Sequence, residues 1–194
     1  SKDAEFALAA GTAKRPGDAV ARKVTVHDTF LFGSGTKPMT AAAVMALVAR
    51  GLVSLEDPLE RHVDPVLERL RPGSSLRSLF GAKASSITVG HTLRMQSGVQ
   101  DFDFPPFDNF LLQANETYKV HSPFDFVQYA STQKPSLVCD PGTCVSYSST
   151  NFILAGFILL GHAKVTEWWQ LDLPAVLPAA ARRSLRSLRF LQRE

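Results

Sequence analysis

The sequence predicts an α+β fold, with a little strand followed by a mostly helical body. Extended sequence, β-branched and aromatic, is concentrated ahead of Gly33, most clearly over residues 24–32. From Thr36 onward, apolar segments are introduced by proline or capping residues, and several are closed by glycine. A length of 194 residues fits one domain.

Taken in order, residues 6–13 read as a weak strand, because alanine and glycine are poor strand formers. Residues 14–21 hold Pro16, Gly17 and Asp18 and read as a turn. Residues 24–32 read as extended. An alanine-rich helix follows over 36–50 and is stopped by Gly51. Residues 55–71 suggest a turn and a short helix. Thr88 caps a helix reaching Gln96, which ends at Ser97-Gly98. The aromatic and proline-rich stretch 101–109 reads as a surface loop. Ser122 and Pro123 open a helix to Ala130. Ser149 or Thr150 caps an apolar helix to Ala163, and Thr166 starts a short one through Leu171.

At 45% hydrophobic and 20% charged residues the chain is globular rather than disordered. Its longest apolar run, 152–161, is far short of the ~20 residues a bilayer span needs and reads as a buried helix. The net charge of +3 is local in origin. Five of the 21 basic residues, but only one of the 18 acidic ones, crowd into positions 182–194. The rest is close to neutral, so no nucleic-acid partner is expected. Leu185, Leu188 and Leu191 among the tail arginines leave a basic amphipathic helix on a membrane surface as one alternative.

Cys139 and Cys144 are the only cysteines and bracket a turn at Asp140-Pro141-Gly142-Thr143. Two readings stay open, a small disulfide staple suited to a secreted or organellar protein and two free thiols. The five histidines, at 27, 62, 91, 121 and 162, are scattered and read as structural. No metal is expected, since ligand spacing is lacking, and the acyl-serine chemistry considered below calls for no cofactor. Asn115-Glu116-Thr117 is a glycosylation sequon, relevant only to a secreted chain.

The stretch Ser34-Gly35-Thr36-Lys37 carries the chemistry. It follows the apolar run 30–32 and opens the first helix, with Pro38 tolerated where N–H groups have no intrahelical partner. A serine three residues before a lysine shares its helix face. A serine hydroxyl needs a base to become a nucleophile, and a neutral, buried Lys37 amine is one candidate. The pattern alone is weak. Ser131 and Lys134 repeat it at a helix end, ahead of Pro135, where the helix dipole has the wrong sign. A phosphate loop is rejected, because Phe30 stands where its first glycine belongs.

Further blocks follow in order. They are 51–58, Gly-Leu-Val-Ser-Leu-Glu-Asp-Pro; 87–98, Ile-Thr-Val-Gly-His-Thr-Leu-Arg-Met-Gln-Ser-Gly; and 141–156, which contains Tyr147-Ser148-Ser149. Together with Ser34 and Lys37 they resemble the serine β-lactamase and penicillin-binding-protein superfamily, most of all its class C lactamase and esterase branch. The resemblance runs from Phe6 to Leu171. It implies a β-lactamase-like fold, here a mostly helical subdomain with an incomplete antiparallel sheet over residues 1–172. A divergent Arg/Leu-rich tail would occupy 173–194.

The resemblance also implies site residues. Ser34 would be the acylating nucleophile, with its own N–H as one oxyanion donor. Lys37 would deprotonate Ser34 or tune its partner. Tyr147 would share base duty and protonate the leaving group, which needs a pKa well below ~10. Lys37 and Tyr147 should both lie within about 3.5 Å of the Ser34 hydroxyl. Ser149 stands where the family has asparagine. Serine can accept from Lys37 but lacks an amide's separate donor and acceptor, which weighs against acylamino-lactam recognition and leaves simple esters or peptides open among ester, peptide and lactam substrates. The expected partner is a small-molecule or peptide substrate. The family's third motif, Lys-Thr-Gly or His-x-Gly, does not occur after Gly161. That leaves a non-catalytic remnant or binding module as the main alternative to an acyl-enzyme serine hydrolase.

Overall fold

The computed structural model describes residues 6–14, 17–29, 32–113, 116, 118–177, 181 and 183. The chain divides into two compact units, Ser1–Gly33 and Ser34–Glu194.

In the first unit, β1 (Thr12–Ala13) pairs antiparallel with β2 (Arg22–Lys23), Thr12 facing Lys23 and Ala13 facing Arg22. The Arg22 guanidinium grips the Asp28 carboxylate at 2.8 and 2.9 Å, and Thr25 N–H donates to the same carboxylate at 2.8 Å. This corrects two expectations. The strand anticipated over 6–13 shrinks to its last two residues. Of the extended stretch anticipated over 24–32, residues 30 and 31 lie outside the described residues; the strand before it is Arg22–Lys23, and Asp28, accepting from Thr25 N–H, closes a turn after that strand.

The second unit is helical. A 3-10 turn, Gly33–Thr36, runs into α1 (Lys37–Ala49), and Gly51 follows in the left-handed region at φ 67°. Then come α2 (Leu59–Leu70), α3 (Leu76–Phe80), a 3-10 turn Ala82–Ser86, and α4 (Val89–Leu93). Next are α5 (Pro105–Leu111), α6 (Pro123–Thr132), α7 (Ser149–Ala163), a 3-10 turn Trp168–Gln170 and α8 (Leu173–Val176).

Capping explains several starts. The Thr88 hydroxyl accepts from His91 N–H at 3.1 Å and Ser122 from Asp125 N–H at 3.3 Å, each reciprocated as a capping box. Helix α4 ends before Gln96, because Met95 turns left-handed at φ 58°. The loop anticipated over 101–109 contains α5, with Pro105 and Pro106 placed in its first turn, where missing donors cost nothing.

Helix α7 is the centre of the unit. It packs against α1, α2, α4 and α6, and Leu154, Ala155, Phe157, Ile158, Leu159 and Leu160 are all buried. Each large apolar side chain removed from water there contributes roughly 1.5–3 kcal/mol. From α2 the amphipathic set Leu59, Val63, Val66 and Leu67 faces this core. Burial of α7 therefore holds its first turn, and Tyr147 just before it, against the start of α1. Of the Arg/Leu tail anticipated from 173, residues 173–177 are described and open as α8, and from 178 onward only 181 and 183 are; Asn115 and Thr117 of the sequon lie outside the described residues.

Candidate active site

Ser34 lies in the 3-10 turn that leads into α1, and Lys37 is the first residue of that helix. The Lys37 Nζ donates to the Ser34 Oγ at 3.0 Å. Tyr147, from the segment leading into α7, shares a hydrogen bond of 2.8 Å between its hydroxyl and the Ser34 Oγ. The Lys37 Nζ also donates to the Ser149 Oγ at 3.3 Å and sits 5.0 Å from the centre of the Tyr147 ring. All four residues singled out from the sequence thus converge, and the two distances to Ser34 fall within the expected ~3.5 Å. The same amine lies 6.0 Å from the centre of the Phe152 ring.

The electrostatics follow from the contacts. Tyr147 is pulled below the ordinary tyrosine pKa, chiefly by the hydrogen bond from Lys37, then by that from Ser34, with burial working against both. The phenol is 57% exposed and Ser34 is exposed, so the triangle opens to solvent on one side. Ser149 is buried, inside the first turn of α7 rather than at the cap that the sequence suggested. Ser148 occupies the cap position.

The approach to Tyr147 is stapled. Cys139 and Cys144 form a disulfide, which closes the alternative left open by the sequence. Three backbone bonds dock this loop on residues 95–98: Val138 N–H to Gly98 O at 2.8 Å, Gly142 N–H to Gln96 O at 2.8 Å and Ser146 N–H to Met95 O at 2.9 Å. Behind it the Ser97 hydroxyl donates to the buried Asn151 Oδ1 at 2.5 Å. Ser131 takes no part: its hydroxyl donates to the Gln128 carbonyl at 2.6 Å in the last turn of α6. Two histidines of this unit have structural partners. His62 bonds Asp57 at 2.9 Å, and the His91 Nδ1 accepts from Thr88 N–H at 3.3 Å.

Sequence reading missed Asp101. Its Oδ1 accepts from Ser149 N–H at 2.9 Å, across a separation of 48 residues. No local motif marks that contact. Asp101 opens a stretch that reads only as an aromatic and proline-rich surface loop, and only the fold brings it to the start of α7.

A fold of this kind, with these blocks in this order, points to a family of serine-hydrolase type. The model of the Beta-lactamase family matches residues 6–170, and the chain belongs to that family. Among solved structures, it is similar to a D-stereospecific amidohydrolase from Streptomyces sp., at 27% identity and a TM-score of 0.53, over 68% of this chain and 36% of that one. A penicillin-binding protein homologue from Pyrococcus abyssi, described as octameric, matches at 30% identity and a TM-score of 0.50, over 69% and 27% of the two chains. The D-amino acid amidase from Ochrobactrum anthropi SV3 shares the fold at 22% identity and a TM-score of 0.52, over 74% of this chain and 36% of that one. The chain spans about a third of the length of these relatives. Its β-lactamase-like α+β class agrees with the expectation from sequence, with a mostly helical unit and one two-stranded antiparallel sheet among the described residues.

Proposed function

We propose that residues 1–172 are a β-lactamase-related serine hydrolase domain that acts through an acyl-enzyme on Ser34. The observation that carries this reading is the triangle of the Ser34 hydroxyl, the Tyr147 hydroxyl and the Lys37 amine at the start of α1. In the proposed reaction the Ser34 Oγ attacks a carbonyl carbon and its proton passes to the ionised Tyr147 oxygen. Lys37 stabilises that phenolate and holds both hydroxyls in place. The tetrahedral oxyanion takes a hydrogen bond from the Ser34 N–H at the positive end of the helix. Collapse of the intermediate expels an amine or alkoxide, which takes the proton from Tyr147. Water then attacks the ester, again giving its proton to Tyr147, and Ser34 is released with its own proton restored.

Amides, small esters or short peptides are the proposed substrates. Ser149 offers a single short hydroxyl where an acylamino lactam would want a side-chain amide, and two of the similar structures are named as an amidohydrolase and an amidase. Neither a metal nor a cofactor enters the mechanism. The basic tail has no part in it.

The test is the intact mass of the protein after exposure to a fluorophosphonate, and separately to a penicillin, followed by peptide mapping. One adduct on Ser34, lost in Ser34→Ala, is expected. An unmodified chain, or an adduct elsewhere, overturns the reading. A second reading, a binding module of the same fold, is favoured by one feature: Ser149 stands where the resembled family has an asparagine. Ser34 acylation that is never followed by release of product would select it.

A further inference from the structure

Helix α7 begins in an unusual way. Its N-cap, Ser148, makes no side-chain capping bond. The Ser148 hydroxyl instead donates to the Gln100 carbonyl at 3.3 Å. The first helical N–H, that of Ser149, donates at 2.9 Å to the Asp101 Oδ1. Segment 100–101 therefore caps α7 from outside, and a carboxylate there also faces the positive end of the helix dipole. The same oxygen accepts from Asp103 N–H at 3.2 Å, which closes the Asp101 loop on itself. Asp101 is half-buried.

We propose that Asp101 is a positioning residue for the site, its carboxylate fixing the start of α7 so that Tyr147 and Ser149 meet Lys37 and Ser34. The proposal rests on the reading of those residues as the reacting group and its partners. Its physical content is a chain of short contacts. Asp101 holds the Ser149 backbone, the Ser149 hydroxyl receives Lys37 at 3.3 Å, and Tyr147, two residues earlier, reaches Ser34 at 2.8 Å. The Asp103 bond is a local turn that any loop can make. The Ser149 bond, 48 residues away, is the one that places the site. Burial pushes the Asp101 carboxyl above the ordinary carboxylate range, while the bonds from Asp103 and Ser149 pull it back. The charged neighbours in play are Lys37 facing Tyr147 and Asp103 beside Asp101.

The test compares Asp101→Asn with Asp101→Ser in the full chain. Asparagine removes the charge and keeps an acceptor at the same reach. Serine keeps a short turn to Asp103 but cannot reach Ser149. Two readouts are taken: the Tyr147 titration by carbon NMR of labelled tyrosine, assigned with Tyr147→Phe, and the rate at which a fluorophosphonate modifies Ser34. Loss of a nearby anion alone would lower the Tyr147 pKa in both variants. Loss of position raises it toward the ordinary ~10 in the serine variant only. The expected result is an upward shift and a slowing of about tenfold or more for Asp101→Ser. Asp101→Asn should keep the depressed value and stay within about threefold of the parent rate. A depressed Tyr147 in a folded Asp101→Ser protein overturns the proposal. If Asp101→Ser does not fold, Asp101→Glu displaces the acceptor by one methylene, and an unmoved Tyr147 there is equally fatal. Should the parent resist the fluorophosphonate, the acyl-enzyme reading falls, while the NMR arm still decides the role of Asp101.

Discussion

Gly98 lies against the backbone carbonyl of Cys139 so closely that a Cβ at position 98 would run into it. Gly98 also adopts φ 76°, in the left-handed region that side chains disfavour. This contact locks the segment ending α4 to the disulfide loop, and Tyr147 follows that loop directly.

Gly98→Ala should therefore be costly on two counts, about 1–2 kcal/mol for the backbone conformation and about 1–3 kcal/mol for the displaced carbonyl. Gly73 has a similar φ of 81° but open space around its Cα, so Gly73→Ala should show the first cost alone. Urea unfolding of the two variants gives the comparison. Equal losses would mean that the Gly98 contact carries no weight.

The two Ser-x-x-Lys sites should behave oppositely toward an acylating probe. Ser34 stands at a helix start with two side chains on its hydroxyl, whereas Ser131 closes a helix and spends its hydroxyl on Gln128. Ser34→Ala should abolish modification and Ser131→Ala should leave its rate unchanged. Retained modification in Ser34→Ala, found by peptide mapping, would refute the assignment.

Acylation should rise with pH through a midpoint below that of free tyrosine, because the contacts with Lys37 and Ser34 favour the ionised Tyr147. The sign for stability is the same. A depressed folded pKa gives a contribution that is complete above the unfolded value of about 10 and is lost as pH falls through the folded value. Tyr147→Phe should flatten the rising limb of the rate profile. A limb that survives unchanged in Tyr147→Phe would assign it to another group.

Replacing Cys139 and Cys144 together by serine removes a staple across a separation of 5 residues, worth about 2 kcal/mol on the chain-entropy account. The three backbone bonds from this loop to residues 95–98 remain. Modification of Ser34 should thus slow by a few-fold rather than vanish, while thermal unfolding moves down by several degrees. Complete loss of modification in a folded double variant would show that the backbone bonds alone do not hold Tyr147.

Local signals made the helical unit readable. Gly51 stops α1, Thr88 and Ser122 cap α4 and α6, and the unbroken apolar run of 152–161 marks a helix buried nearly all round. The order of motifs singled out Ser34, Lys37, Tyr147 and Ser149, since each lies within a few residues of a recognisable block. What the sequence hid depends on contacts between distant segments. The start of α7 lies one or two residues ahead of that which a cap at Ser149 or Thr150 suggests, because its first N–H is capped by Asp101 rather than by a local hydroxyl. Helix α5 was hidden because Pro105 and Pro106 resemble loop punctuation until a helix is seen to begin on them. The short strands depend on Asp28 binding back to Arg22 and Thr25, a closure that no hydrophobic alternation announces.

Ser34 and Tyr147 are separated by 113 residues, and α7, which carries the second motif, is the most enclosed helix of the unit. During synthesis Ser34 emerges long before Tyr147 exists. Until α7 has collapsed onto α1 and α2, Ser34 is an ordinary hydroxyl, no more reactive than any other serine. Long-range closures of this kind cost loop-closure entropy before their contacts offset it. On the proposed mechanism, any reactivity of Ser34 toward an electrophile therefore depends on the docking of α7 against α1, and a chain in which that docking fails keeps Ser34 without its partner Tyr147.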